Sequence, residues 1–541
     1  MLATLRRNAP CALLAVAVAA SLLALWPPAH LILANANLPT LFHENLGYRF
    51  FWALRLIDGA PGDFVHPGQG VLLSLIQAIY YLFGKLTGLD LFGQISLFAR
   101  LTLGVAVVAM LTLTIAIALD RKLDVGLRAA LVTAPLVMGL GHSTVFSYDL
   151  YPDYHAYSKV FFLLFAWRWL SHRGWQGIRS RRAACELAVL AGLLGALKVN
   201  YAIFPAVLLL ASLGVTAASR PGEALRLGAV MAPTGAIVMA GLFLLHYGGD
   251  IAAVARFFVV LSTFARSLGG PSQISLDPLA GWSSDSYSNL AWLSAILAFL
   301  CLAALGTRRA LPAAFALVLA GLGAAAVAMA YWRGGAASAF DGVVIVALLC
   351  VLAAATLKDH STARHASLAL AAVFVLWPAS WVACHWRAYS TDNGLLPLLE
   401  TAGDWQRGLF DWNLSHGLPI YVLMPSNNFP QGTIEDMMMR GMTNFGEVWY
   451  ASNENPTRAA RFPQFHFVSY DVQLPPQRLV FMWVTGERPF LTVDQAMLDR
   501  HKQLVERLLR GRRREECYQV RQVFTGGTVV SCVMSAPASP S

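Results

Sequence analysis

Apolar runs long enough to cross a bilayer, separated by short clusters of Lys and Arg, fill the chain from its start to about residue 384. Runs of this kind, with few charges inside them, predict transmembrane helices. The first extends from Cys11 to Ala34 behind Arg6 and Arg7. It is too long for the apolar core of a signal peptide and no small-residue cleavage pattern follows it, so it predicts a first membrane helix with the N-terminus inside. The segment GVLLSLIQAIYYLFG, Gly70–Gly84, is different. As a helix it would be only about 22 Å long, against roughly 30 Å of hydrocarbon, which predicts a helix lying along or dipping into the outer interface.

Charge distribution tests that placement. With Gly70–Gly84 not spanning, the basic clusters at Asp120–Arg128, Ser171–Arg182, Ser219–Arg226, Thr307–Arg309 and Lys358–Arg364 all fall on the inner side. Every loop then satisfies the positive-inside rule. The predicted helices cover residues 11–34, 95–119, 126–142, 156–171, 184–198, 201–218, 228–247, 290–306, 310–331, 342–357 and 367–384, about eleven spans. Four loops, 35–94, 142–155, 248–289 and 332–341, and the tail from His385 face outward. Within the third loop, IAAVARFFVVLSTFARSL places Arg256 and Arg266 opposite an apolar side, the pattern of an interfacial helix.

From His385 the hydropathy drops. GLPIYVLMPSNN, RLVFMWVTGERPF and the segment between Cys517 and Cys532 predict strands, with a helix over DQAMLDRHKQLVERLLRGRRREE. The expected architecture is therefore an α-helical polytopic membrane domain over 1–384 and a small extracytoplasmic α/β domain over 385–541. Cys517 and Cys532 bracket a period-two segment with a Gly-containing turn. A disulfide across that hairpin is expected if this end lies outside the cytoplasm, and two reduced thiols are the alternative. The other cysteines, among them Cys11, Cys185, Cys301 and Cys350, lack metal-ligand spacing and read as small packing residues.

Composition agrees with the pattern: of 541 residues, 57% are hydrophobic and 13% charged. The net charge of +10 follows from topology, because Lys and Arg form no basic face interleaved with aromatics; a nucleic-acid partner is not expected.

Acidic residues are costly near a bilayer, so their positions carry information. The outer loop 35–94 gathers Glu44, Asp58 and Asp63 with His43, His66, Arg49 and Arg55, and SYDLYPDYHAYSK adds Asp149, Asp153, His155 and Lys159 on the same side. A carboxylate at such a mouth can act as a general base toward a sugar or lipid hydroxyl. Lys198, in GALKVNYAIFP at the end of one span, suits a cation that holds a lipid phosphate and stabilises a leaving group. Each has an ordinary structural alternative. Glu44 would solvate or cap its loop, Asp149 and Asp153 would cap the helix beginning near His155, and Lys198 would snorkel from a helix end. His66 before Pro67 would be an interface histidine at a turn. Convergence of all of them on one face favours chemistry.

The opening of the chain, with DFVHPGQGVLLSLIQAIYYLFG and then FARLTLGVAVVAMLTLTIAIALDRKL behind an acidic outer loop, resembles the GT-C superfamily of membrane glycosyltransferases. That superfamily includes protein mannosyltransferases and the aminoarabinose transferase of lipid A. The resemblance covers roughly residues 1–220. It implies Glu44 as catalytic base and His66 with Pro67 as the His-Pro or Lys-Pro element opening a short helix. Pro152 with Asp153 match the family's acidic residue in the next outer loop. Lys198 matches the Lys of its Thr-Lys-Gly stretch, where Leu197 and Val199 depart from it. The usual Asp-Glu pair is here His43-Glu44 and the second Pro of His-Pro-Pro is Gly68, which keeps Asp58 and Asp63 as further candidates for the base.

What the resemblance implies is an inner-membrane glycosyltransferase. Its donor would be a polyprenyl-phosphate sugar and its acceptor a lipid, glycan or protein on the outer face. Glu44 and Asp153 are then the catalytic pair, and His66, Lys198, His155, Asp58 and Asp63 the substrate-binding candidates. No cofactor is certain, since some members use a divalent metal and others none. A transporter or flippase of a lipid-linked glycan is the alternative; it calls for mid-membrane ionisable residues and broken-helix repeats, of which the chain shows few and no clear case. A non-catalytic membrane subunit is a third reading.

Overall fold

In a computed structural model, the residues described are 11–25, 70–89, 91–137, 154–268, 415–422, 465–467, 474–485, 495–521 and 528–536, with a few isolated positions between them. The helices are α1 (Cys11–Leu25), α2 (Leu72–Leu86), α3 (Leu91–Leu119), α4 (Val125–Val137), α5 (Tyr154–Ser171), α6 (Arg181–Leu197), α7 (Ile203–Ser219), α8 (Pro221–His246) and α9 (Ile251–Leu268). These match, within a few residues at most ends, the helices that the apolar pattern predicts, including the short α2 and the amphipathic α9. By length and composition, Arg100–Leu119, Val199–Ser219 and Pro221–His246 are candidate membrane spans among the described residues. The predicted helices after residue 268 lie outside them.

One boundary differs. The sequence reads Ser219–Arg226 as a basic loop, whereas α8 already begins at Pro221, separated from α7 by Arg220 alone. Proline at the first helical position loses no hydrogen bond there, and Glu223 in the first turn complements the positive end of the helix dipole. Arg220 also pairs with Glu223 at 3.0 Å. Charges that look like a loop are the first turn of a helix.

Polar contacts fix how the helices run. Beyond the end of α3, Asp120 accepts hydrogen bonds from Trp167 Nε1 at 2.8 Å and Ser171 Oγ at 2.7 Å. Arg168, also near the end of α5, grips Glu186 on α6 with two nitrogens, one of them Nη2 at 3.0 Å, and His172 Nε2 lies 3.0 Å from the same carboxylate. α3 and α5 are thus parallel, and α6 returns antiparallel to α5. The basic stretches around Asp120 and His172 share one end of the bundle, as the sequence requires. Burial raises the pKa of Asp120, but hydrogen bonds from Ser171, the Lys122 amide and Trp167 outweigh it and leave the carboxyl below its usual range.

α6 and α8 pack backbone to backbone. A Cβ on Gly192 would stand 2.7 Å from the Gly235 carbonyl oxygen, and one on Gly195 2.9 Å from Met239 Sδ. Small residues at this spacing let helices approach closely where the hydrophobic effect cannot drive association. Because the paired positions advance together, the two helices run parallel.

Residues of the tail form a five-stranded mixed sheet in the order β2-β1-β3-β5-β4. The strands are β1 (Ile420–Val422), β2 (Phe465–Phe467), β3 (Leu479–Thr485), β4 (Arg514–Arg521) and β5 (Thr528–Met534). Between β3 and β4, α10 (Gln495–Leu509) covers the sheet. Alternate residues Leu479, Phe481 and Trp483 of β3 and Val530, Cys532 and Met534 of β5 meet Leu504, Val505 and Leu508 of α10, so strand period two faces helix period 3.6. Arg512, after α10, donates to the carbonyls of Gln477 at 3.0 Å, Ser535 at 3.2 Å, Leu474 at 3.4 Å and Pro475, and so gathers the chain entering β3 and leaving β5.

Cys517 and Cys532 are directly opposed on β4 and β5 and form a disulfide. Thiol-blocking before reduction should leave both cysteines unlabelled. Their joint replacement by Ser should destabilise the sheet by about 3 kcal/mol, the value expected for closing a loop of this length in the unfolded chain. Full labelling of either thiol in the native protein would refute the bond.

Candidate functional site

The described part of the predicted site centres on the break between α6 and α7. α6 ends at Leu197, Lys198 takes an extended conformation (φ −158°, ψ 124°), and a 3-10 turn over Val199–Ala202 leads into α7. The Lys198 ammonium sits over the Tyr201 ring, 5.1 Å from its centroid, a cation–π arrangement. Tyr201 is buried and edge-on to Phe162 of α5 at 4.9 Å, and Phe162 meets Phe204 of α7 at 5.5 Å. The lysine is therefore mounted on a fixed aromatic base joining α5 to the break, rather than left to trail from a helix end.

The last carbonyls of a helix have no partner within it. Here the Leu197 carbonyl accepts from the Gly70 amide at 2.8 Å. The approach is so close that a Cβ on Gly70 would stand 1.9 Å from the Ala196 carbonyl oxygen. The chain just before α2 is thus seated on the end of α6, beside Lys198.

Further along α2, Tyr80 meets α5. The Tyr157 hydroxyl donates to the Thr102 carbonyl at 2.8 Å, so its oxygen accepts from Tyr80 at 3.1 Å. Tyr157 lies near the start of α5 and Leu197 closes α6, and those two ends belong to the same end of the antiparallel pair. α2 accordingly bridges that end, opposite the one that carries Asp120 and Glu186. Ser158 and Lys159, next in α5, are buried.

Of the residues predicted from sequence, Lys198 stands at this junction. His155 is placed by its backbone in the first turn of α5. Glu44, Asp58, Asp63, His66 and Asp153 lie outside the described residues. Among the described residues no group of three or more His, Cys, Asp and Glu could hold a metal ion. The sequence reading missed Gly70, Tyr80 and Tyr157. For Gly70 a signal existed, since a Gly just ahead of a helix and just after His-Pro marks a place of close backbone approach; for the tyrosine pair there was none.

No protein-family model matches the chain, and no curated protein does. Solved structures do. Over 97% of this chain and 99% of the other, at 12% identity and a TM-score of 0.50, it is similar to the crystal structure of ArnT from Cupriavidus metallidurans bound to undecaprenyl phosphate. The apo crystal structure of ArnT from the same organism aligns over the full length of both chains at 11% identity and a TM-score of 0.34. At such identities the likeness to the undecaprenyl phosphate complex is one of fold, and it reaches well past the first 220 residues. The chain shares its fold with that ArnT structure.

Proposed function

We propose that this protein is a GT-C glycosyltransferase of the inner membrane, moving a sugar from a polyprenyl-phosphate donor to a lipid, glycan or protein acceptor on the outer face, with residues 385–541 as an extracytoplasmic domain. Glu44 takes the proton from the acceptor hydroxyl. The hydroxyl oxygen attacks the anomeric carbon, the bond from that carbon to the phosphate oxygen breaks, and polyprenyl phosphate leaves with the electron pair. Lys198 and His66 hold the phosphate and stabilise the charge it gains; Asp153 orients the acceptor or the base, while His155, Asp58 and Asp63 line the substrate.

The observation that carries this reading is the junction of Gly70 with Leu197. His66 precedes Gly70 by four residues, so even a fully extended chain keeps it within about 14 Å of the amide bonded beside Lys198. Asp153 directly precedes α5, whose first turns meet α2 through Tyr157. The ArnT structure of like fold holds undecaprenyl phosphate, which is the leaving group this reaction requires.

Reconstitution in proteoliposomes with undecaprenyl-phosphate-linked sugars, sampling acceptors from an envelope extract, tests the proposal. The expected product is free undecaprenyl phosphate formed together with a glycosylated acceptor. Intact lipid-linked sugar moving between leaflets, with no undecaprenyl phosphate released, would instead identify a flippase.

A further inference from the structure

α2 carries a polar group whose burial the fold does not explain. Gln77 is 1% exposed, and its side-chain amide nitrogen has no hydrogen-bond partner among the described residues. Leaving a buried amide donor unpaired costs about 1–3 kcal/mol, and most buried polar atoms avoid it. The position is specific. Along α2, Gln77 lies between Gly70, bonded to Leu197, and Tyr80, bonded to Tyr157. Lys198 follows the first of these contacts. On the buried face of α2, Gln77 stands one turn from Ser74 and one turn from Tyr80 and Tyr81. A two-proton donor on the helix face whose first attachment point adjoins an ammonium suits an oxygen-rich anion.

We propose that Gln77 is a phosphate-binding residue of the donor site, its amide nitrogen donating to a phosphate oxygen of the polyprenyl-phosphate head group, with Lys198 on the side of Gly70. The inference rests on the glycosyltransferase reading and deepens it. The ligand supplies the acceptor that the protein withholds, and the stability forgone in the empty protein is recovered on binding.

The test uses the purified full chain in nanodiscs with undecaprenyl phosphate as probe and undecaprenol, which lacks the phosphate, as control. Gln77→Leu removes the donor at similar volume; Gln77→Glu keeps the shape and replaces the donor with an anionic acceptor. Both should bind undecaprenyl phosphate about tenfold to a hundredfold more weakly than wild type, the effect of one hydrogen bond to a charged group, and bind undecaprenol equally. The ligand-free thermal midpoint of Gln77→Leu should be unchanged or higher, since an unpaired donor has gone. A lowered midpoint with unaltered undecaprenyl phosphate affinity would mean that Gln77 is structural and would overturn the inference while leaving the enzyme reading intact. Wild-type protein that does not bind undecaprenyl phosphate would overturn both.

Discussion

Replacing Glu44 by Gln should abolish sugar transfer, lowering turnover by about 10²- to 10⁴-fold, the range that a positioned general base contributes. The amide keeps the size of the carboxyl and most of its hydrogen-bonding geometry but cannot take the acceptor's proton. The attacking oxygen would then have to leave water-like solvation with its proton still attached. Because the change is isosteric and falls between the apolar runs of the sequence, the protein should reach the membrane and keep its thermal midpoint and its affinity for undecaprenyl phosphate. The measurement is the rate of undecaprenyl phosphate release with saturating donor and acceptor, beside the binding constant. Wild-type turnover in this variant removes Glu44 from the mechanism, and Asp58→Asn and Asp63→Asn then become the decisive changes. Loss of donor binding with turnover unaltered at saturation would instead assign Glu44 to binding.

Helices and strands were legible from this chain to different degrees, for identifiable reasons. Membrane-type helices such as α3 and α7 declare themselves because their apolar runs are long and their ends are punctuated by charge. The start of α8 was hidden because Pro221 and Glu223 read as a loop when their neighbours are Arg220 and Arg226. β2 escaped notice because three residues, Phe465–Phe467, are too few to display an alternation. β3, β5 and α10 were plain, since each carries its own period into one shared core.

The candidate site divides along a different line. Lys198 could be picked out because a lone cation ending an apolar run is unusual. What gives it a rigid setting, the ring of Tyr201 and the amide of Gly70, comes from tertiary contacts. A backbone hydrogen bond between segments on different helices leaves no periodic trace, and the Tyr80–Tyr157 pair leaves none either. In Gln77 the sequence offers only a polar residue in an amphipathic helix, and nothing but burial distinguishes it from one facing water.

Gly70→Ala should be the most damaging small change at this junction. Its cause is steric: the added Cβ would stand 1.9 Å from the Ala196 carbonyl oxygen and 2.8 Å from the carbonyl carbon of Leu197, all of it backbone that no rotamer change can clear. Reaching ordinary contact at 3.4 Å requires the start of α2 and the end of α6 to part by about 1.5 Å. A shift of that size lengthens the 2.8 Å bond from the Gly70 amide beyond hydrogen-bonding range and leaves the Leu197 carbonyl unpaired. Overpacking and the lost bond together should lower stability by about 1–3 kcal/mol. Activity should suffer more, because in the proposed mechanism His66 and Lys198 meet the donor on either side of this contact, and a displacement of about 1 Å in positioning groups can lower turnover roughly 10²-fold. Gly214→Ala is the control: nothing lies within 4 Å of a Cβ placed there, and Ala is the better helix former, so stability and turnover should hold or rise slightly. Thermal midpoint and transfer rate, measured on the three proteins in one membrane preparation, separate the outcomes. A Gly70→Ala protein with wild-type values for both would show that α2 is not seated on the end of α6 in the working enzyme, and the link between the outer loop and Lys198 would have to be sought elsewhere.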